Sequence, residues 1–136
     1  LFAGGLAYGE FALTNPQLYQ LMFGLAGGPQ IRSLPDAEAT MGTAEGAEAL
    51  SVLVDSVTRV LEAELIRPQD ARAAAAQILS VTHGFLVLQI GGFVEAELAA
   101  VMPEMAVNLM VGLGADRTRA EGSLTRAVAA QANQTV

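Results

Sequence analysis

His83 is the single histidine in 136 residues and cysteine is absent, so any reading of this chain as an enzyme or metal protein turns on one imidazole and the carboxylates. A metal site needs further ligands, and a nucleophilic site needs an activated hydroxyl or thiol beside its base. On a helix the neighbours of His83 at i±3 and i±4 are Ser80, Leu79, Leu86 and Val87, which supply one hydroxyl and no group to orient the ring. Ser80 with a lone imidazole is weak evidence for hydrolysis. A satisfied core or interface histidine is the stronger reading, with a neutral ring able to give a ligand one hydrogen bond. Glu45 with Glu48, and Glu95 with Glu97, are the carboxylate pairs to weigh for acid/base work, but all four flank apolar stretches where solvated acids are expected. The Gly-Gly pairs at 4–5, 27–28 and 91–92 lack the spacing and following lysine of a phosphate loop. The sequence therefore reads as non-enzymatic, with no cofactor and no metal.

What must position these residues is a single apolar domain. Hydrophobic residues make up 52% of the chain and charged residues only 15%, so much of the surface must be covered by a partner chain or a bilayer. The formal net charge is −7, and the seven basic residues, all arginine, are scattered. Such a surface repels phosphate backbones and makes the chain alone a poor nucleic-acid binder. There is no basic n-region and no cleavage-site pattern, hence no signal peptide. The first residue is Leu1 rather than Met, inside an apolar segment, which suggests a longer protein upstream. The absence of cysteine fits a reducing cytoplasm.

Alanine-rich segments punctuated by Pro and Gly predict an all-α fold of about five main helices. The first covers roughly 1–14 and is weakly periodic. Asn15-Pro16 reads as an N-cap with proline at the first helical position, opening a short second helix in which Leu18, Leu21, Met22 and Leu25 fall at i, i+3, i+4 and i+7 and Tyr19 pairs with Phe23. Gly27-Gly28-Pro29 ends it, and 26–45 reads as a long connection. The third helix, about 46–66, is the most clearly amphipathic: Leu50, Leu53, Val54, Val57, Leu61 and Leu65 line one face, with Asp55 and Arg59 able to pair on the other. The fourth runs from near Pro68 to about Gly92 and carries no charge between Ala73 and Val94, so it must be covered on more than one side. Ser80, Gly84, Val87 and Gly91 form a small-residue strip on it. A fifth helix starts near Met102-Pro103-Glu104 and continues through Leu109 and Leu113. Residues 116–136 read as a loosely ordered tail, at most a loose helix through Leu124 and Val128.

Two stretches resemble a known family. Residues 11–23, Phe-Ala-Leu-Thr-Asn-Pro-Gln-Leu-Tyr-Gln-Leu-Met-Phe, are similar to the segment of TetR-type regulator C-terminal domains where an aromatic helix end meets an Asn/His-Pro turn. His83-Gly84-Phe85, with Leu88 and Gly92, resembles the His-Gly pattern of the WHG-type subgroup. The subgroup often has an aromatic before the His-Gly pair and an acid at the position of Gln89; here Thr82 and Gln89 stand there. The resemblance implies a ligand-binding and dimerisation domain, 1–136, of a transcriptional regulator acting as a repressor, which contacts operator DNA only through an N-terminal helix-turn-helix domain outside this sequence.

On that reading the fourth and fifth helices of two protomers make a four-helix homodimer interface, with Gly84 and Gly91 permitting close approach and Phe85, Leu88, Met105, Leu109 and Leu113 giving apolar area. An apolar pocket between the first four helices takes a small lipophilic effector. Tyr8, Phe11, Met22, Phe23, Val54, Val57, Leu61 and Leu86 are its lining candidates, and His83 and Gln89 its polar handles. Two other readings compete. One is a small helical membrane protein, since the uncharged run is long enough to span a bilayer. Against it stand Gln77, Ser80, Thr82, His83 and Gln89 within the run, and the soluble-type third helix. The other is a structural dimerisation module without ligand.

Overall fold

The structure, a computed structural model, describes residues 1–22 and 44–133, with backbone only at 44–49 and 96. The connection expected over 26–45, its Gly27-Gly28-Pro29 stop, Phe23 and the side chains of Glu45 and Glu48 therefore lie outside the described residues. Six α-helices occur among them and no strand: α1 (Phe2–Thr14), α2 (Pro16–Met22), α3 (Ala44–Glu62), α4 (Ala71–Ile90), α5 (Val101–Gly112) and α6 (Arg117–Ala132), with a 3-10 helix (Ala96–Ala100) leading into α5.

The boundaries follow from local chemistry. Pro16 opens α2 as expected, and the carbonyl of Asn15 accepts the first amide bond from Tyr19 at 2.9 Å. The Asn15 amide turns the other way and donates to the Phe11 carbonyl at the end of α1, so one residue closes one helix and starts the next. The start of α4 lies past Pro68, at Asp70, whose carboxylate accepts from the Ala73 amide at 2.7 Å. Three helices end in the same hairpin of paired amide bonds, the Schellman motif. After α4, Phe93 donates to Leu88 and Gly92 to Gln89; after α5, Ala115 donates to Met110 and Gly114 to Val111. Gly92 (φ 75°) and Gly114 (φ 105°) occupy the left-handed position there. After α3 the same pattern recurs with Leu65 to Val60 and Glu64 to Leu61, but the left-handed residue is Glu64, at φ 54°.

The tail is a correction. Residues 117–132 form a helix capped by Asp116, whose carboxylate accepts from the Arg119 amide at 2.9 Å. It packs against α5 and α1. Its contact face is made mostly of small residues, with Ala120 buried, Gly122, Ser123 and Ala127 half-buried and Leu124 against the core; small side chains allow close helix approach but register weakly as hydrophobic periodicity. The expected Asp55–Arg59 pair gives way to a bond from Arg59 to Ser56 Oγ, and the ion pair that does form among the described residues is Arg117–Glu121, exposed on α6.

α3 packs on α4, α4 on α5, α5 on α6, α6 on α1, and α1 back on α4. This circuit encloses two apolar clusters. The larger joins Val57, Ile66, Ala74, Ala75, Val107, Met110, Leu113 and Ala120, with Leu1 and Phe2 against it; the smaller joins Ala12, Tyr19 and Leu86, with Tyr8, Phe11, Val87 and Ile90 around them. α1 and α4 each begin at the larger cluster and end at the smaller, and so connect two poles. At the first pole the α3–α4 turn is clasped to the α5–α6 turn: the Arg67 amide donates to the Leu113 carbonyl at 3.0 Å and its guanidinium to Gly112 at 2.6 Å.

Candidate functional site

At the second pole a buried phenol sets the geometry. The turn at Asn15-Pro16 folds α2 back on α1 and drives Tyr19 inward until it is fully buried. A buried hydroxyl needs a partner, and two helices supply one each. Tyr8 on α1 places its Oη 3.0 Å from Tyr19 Oη, and His83 on α4 places Nδ1 2.6 Å from the same oxygen. The Tyr8 and Tyr19 rings meet edge to face at 67° with centroids 5.7 Å apart; Tyr19 and His83 are tilted by 36° at 5.5 Å. Residues 8, 19 and 83 thus tie α1, α2 and α4 into one polar chain inside an apolar cluster.

Burial governs the charges. Desolvation pushes the Tyr8 phenol above its ordinary value, outweighing the bond to Tyr19, and pushes Tyr19 up strongly, reinforced by Tyr8. The same cause pulls His83 below its ordinary value. At neutral pH all three groups are uncharged, a set of hydrogen-bonding handles rather than an ion pair. The imidazole engages Tyr19, and Ser80, the hydroxyl three positions before it on the helix, is exposed. Among the described residues no three acidic, histidine or cysteine side chains gather to hold a metal.

The expected ligand-lining residues divide between the two poles. Tyr8, Phe11 and Leu86 come together at the second pole with His83. Val54, Val57 and Leu61 belong to the first-pole cluster, where Val57 is fully buried. Met22 is exposed, Gln89 half-buried, and Phe23 outside the described residues. Sequence reasoning passed over Tyr19 as a site residue. The signal was present: a phenol three residues into a proline-started helix, paired with an aromatic at i+4, must bury its ring and then satisfy its hydroxyl. A cleft of about 310 Å³ opens elsewhere, beside Leu1, Phe2, Val60, Leu65, Met110 and Arg119 at the first pole, and none of the expected lining residues borders it.

The expected interface residues also separate. Gly84, Leu88 and Gly91 are exposed along α4 and its C-cap, and a Cβ added at Gly84 would meet nothing within 4 Å among the described residues. Met105 and Leu109 are half-buried on α5. Phe85 and Leu113 are buried within the protomer, at 8% and 3% exposure, and have little surface left to give a partner. On a helix, Phe85 is one position from Gly84, about 100° around the axis, which turns it inward.

α4 is long and apolar enough to cross a membrane by length and composition, the feature behind the membrane reading; here it packs against α1, α3 and α5. No curated protein and no solved structure matches the chain. A family described as "Tetracyclin repressor-like, C-terminal domain" matches residues 1–113, which include the Asn15-Pro16 turn, Tyr8, Tyr19 and His83. TetR-family proteins are soluble transcription regulators rather than enzymes. The chain belongs to the tetracyclin repressor-like C-terminal domain family, the ligand-binding and dimerisation part of such regulators.

Proposed function

We propose that this chain is the effector-sensing and dimerisation domain of a cytoplasmic repressor. It takes a neutral lipophilic small molecule at the second pole and controls a helix-turn-helix domain that carries the operator contact. The observation that carries the reading is the uncharged Tyr8–Tyr19–His83 chain within an apolar cluster of α1, α2 and α4. Small-molecule sites combine an apolar lining with a few fixed polar groups, and this pole offers both, with no buried acid or arginine among the described residues to favour an ionic effector. It also ends α1 and α4, the two helices that run to the other pole. A displacement there is transmitted along rigid elements.

Thermal-shift screening tests this. A lipophilic compound at about a hundred times its dissociation constant adds roughly 2.7 kcal/mol of stability; shifts from anionic metabolites with none from a lipophilic library defeat the reading. The homodimer is proposed to use the exposed α4 strip of Gly84, Leu88 and Gly91 with Met105 and Leu109 of α5, and a chain that sediments as a monomer at micromolar concentration refutes it. At net charge −7 the chain alone gives no sequence-specific gel shift with duplex DNA.

A further inference from the structure

The cleft at the first pole, of about 310 Å³, is of a size that small molecules occupy. Phe2 at the start of α1, Val60 near the end of α3, Leu65 in the turn after it and Met110 of α5 give it apolar walls. Its polar side chains come from α6 alone: Arg119 and Ser123 border it one turn apart, at i and i+4 on one face. α6 lies beyond residues 1–113, so this edge is an addition to the part of the chain that the family match covers.

Both side chains have hydrogen bonds to give. The Asp116 carboxylate accepts from the Arg119 backbone amide, while the Arg119 guanidinium makes no hydrogen bond or ion pair among the described residues. Ser123 Oγ accepts from the Arg126 guanidinium at 3.0 Å, which leaves its own proton to donate. A planar guanidinium fork with a hydroxyl beside it matches a carboxylate. A more highly charged head is disfavoured on a chain of net charge −7.

We propose that this cleft binds a monocarboxylate with a hydrocarbon tail, such as a medium-chain fatty acid, the tail lying on Phe2, Val60, Leu65 and Met110 and the carboxylate held at the rim by Arg119 and Ser123. The site is separate from the second pole and does not rest on the effector reading there. Arg119 is exposed, and water screens its pairing. Tail burial therefore carries most of the affinity, and the head selects the chemistry.

Decanoate is the probe, titrated into the chain with the Leu1 amine acetylated so that Arg119 is the cation tested. With 13C-methyl methionine, Met110 reports the cleft and Met22, at the end of α2, the second pole; Met110→Leu assigns the first signal. Decanoate shifts the Met110 methyl and leaves Met22 unmoved. Octanoate binds about four- to fifteenfold weaker, since each methylene that the cleft covers is worth about fourfold. Arg119→Gln, at an exposed position, weakens decanoate about two- to fivefold and leaves 1-decanol, the same tail without the charge, unchanged. Absence of a Met110 shift overturns the proposal, as does a shift centred on Met22. Equal affinities of wild type and Arg119→Gln for decanoate overturn it too, because the guanidinium then holds no carboxylate. Neutral lipophilic compounds that move Met22 uphold the effector reading whatever decanoate does, so the two fail separately.

Discussion

The two poles share α1 and α4 and are built by opposite means. The first is apolar: its buried members are aliphatic apart from the Met110 thioether, and its polar work is done at the rim, where Arg67 clasps the Gly112–Leu113 turn. The second has a fully buried phenol at its centre, bonded on both sides to groups from other helices. Apolar contacts are non-directional and tolerate repacking, whereas a buried hydrogen-bond chain demands one arrangement and is costly when half satisfied. The difference teaches where each kind of specificity resides: the first pole holds the bundle together, and the second fixes one arrangement of α1, α2 and α4.

Ile66→Ala at the first pole should therefore have the largest effect on stability. Ile66 is 5% exposed within the larger cluster, and such truncations cost about 2–5 kcal/mol, measurable by urea unfolding at unchanged m-value. Tyr19→Phe keeps the ring and removes only the hydroxyl, leaving the buried side of His83 and Tyr8 without their shared partner; about 1–3 kcal/mol is expected. A Tyr19→Phe loss equal to or above that of Ile66→Ala would reverse the assignment of roles. So would an Ile66→Ala effect too small to measure.

The pH profile separates the poles further, because Tyr8, Tyr19 and His83, moved from their ordinary values by burial, all lie at the second. His83 lies below its ordinary value of 6.5 in the fold, so the unfolded chain takes up a proton more readily and stability falls as pH drops below that value. Tyr8 and Tyr19 lie above their ordinary value of 10.0, so the unfolded chain loses protons first and stability falls as pH rises past it. A stability plateau between about pH 6.5 and 10 is expected from these three groups. In Tyr19→Phe the alkaline shoulder should shrink; if it is unchanged, the buried phenol is not its source.

How much of this was legible in the sequence differs between the poles in the same sense. The third helix, with its aliphatic stripe from Leu50 to Leu61, and the Asn15-Pro16 turn could be read from periodicity and cap chemistry, though the helix ends at Glu62 and Leu65 falls in the turn after it. α6 was not legible, because a helix that packs through Ala120 and neighbouring small residues leaves no strong period. His83 was recognisable as a polar handle, since a lone imidazole in an uncharged apolar run must find a partner. That the partner is Tyr19, 64 positions away, is a matter of tertiary arrangement and no local pattern carries it. The split of Val54, Val57 and Leu61 from Tyr8 and Phe11 has the same origin: helical spacing says which residues share a face, not which of two clusters the face meets.

The smallest expected effect has the opposite sign and isolates the backbone from both cores. Three helices end in the same paired-amide turn, and two of them use glycine at the left-handed position, Gly92 and Gly114. At Gly114 the choice is enforced twice, by φ and by the Arg67 amide nitrogen, which would lie 2.8 Å from an added Cβ. The third turn, after α3 at the first pole, holds Glu64 at φ 54°, where a Cβ crowds its own backbone by roughly 1 kcal/mol. The Glu64 side chain is exposed, so little packing is lost with it. Glu64→Gly relieves that strain but adds freedom to the unfolded chain, which takes back part of the gain. The net expectation is stabilisation of about 0.5–1 kcal/mol, read as a higher urea midpoint at unchanged m-value. Glu64→Ala shares the loss of the side chain but keeps the strained Cβ, and should give no such gain. Equal midpoints for the two variants would place the effect in the lost carboxylate rather than in the turn.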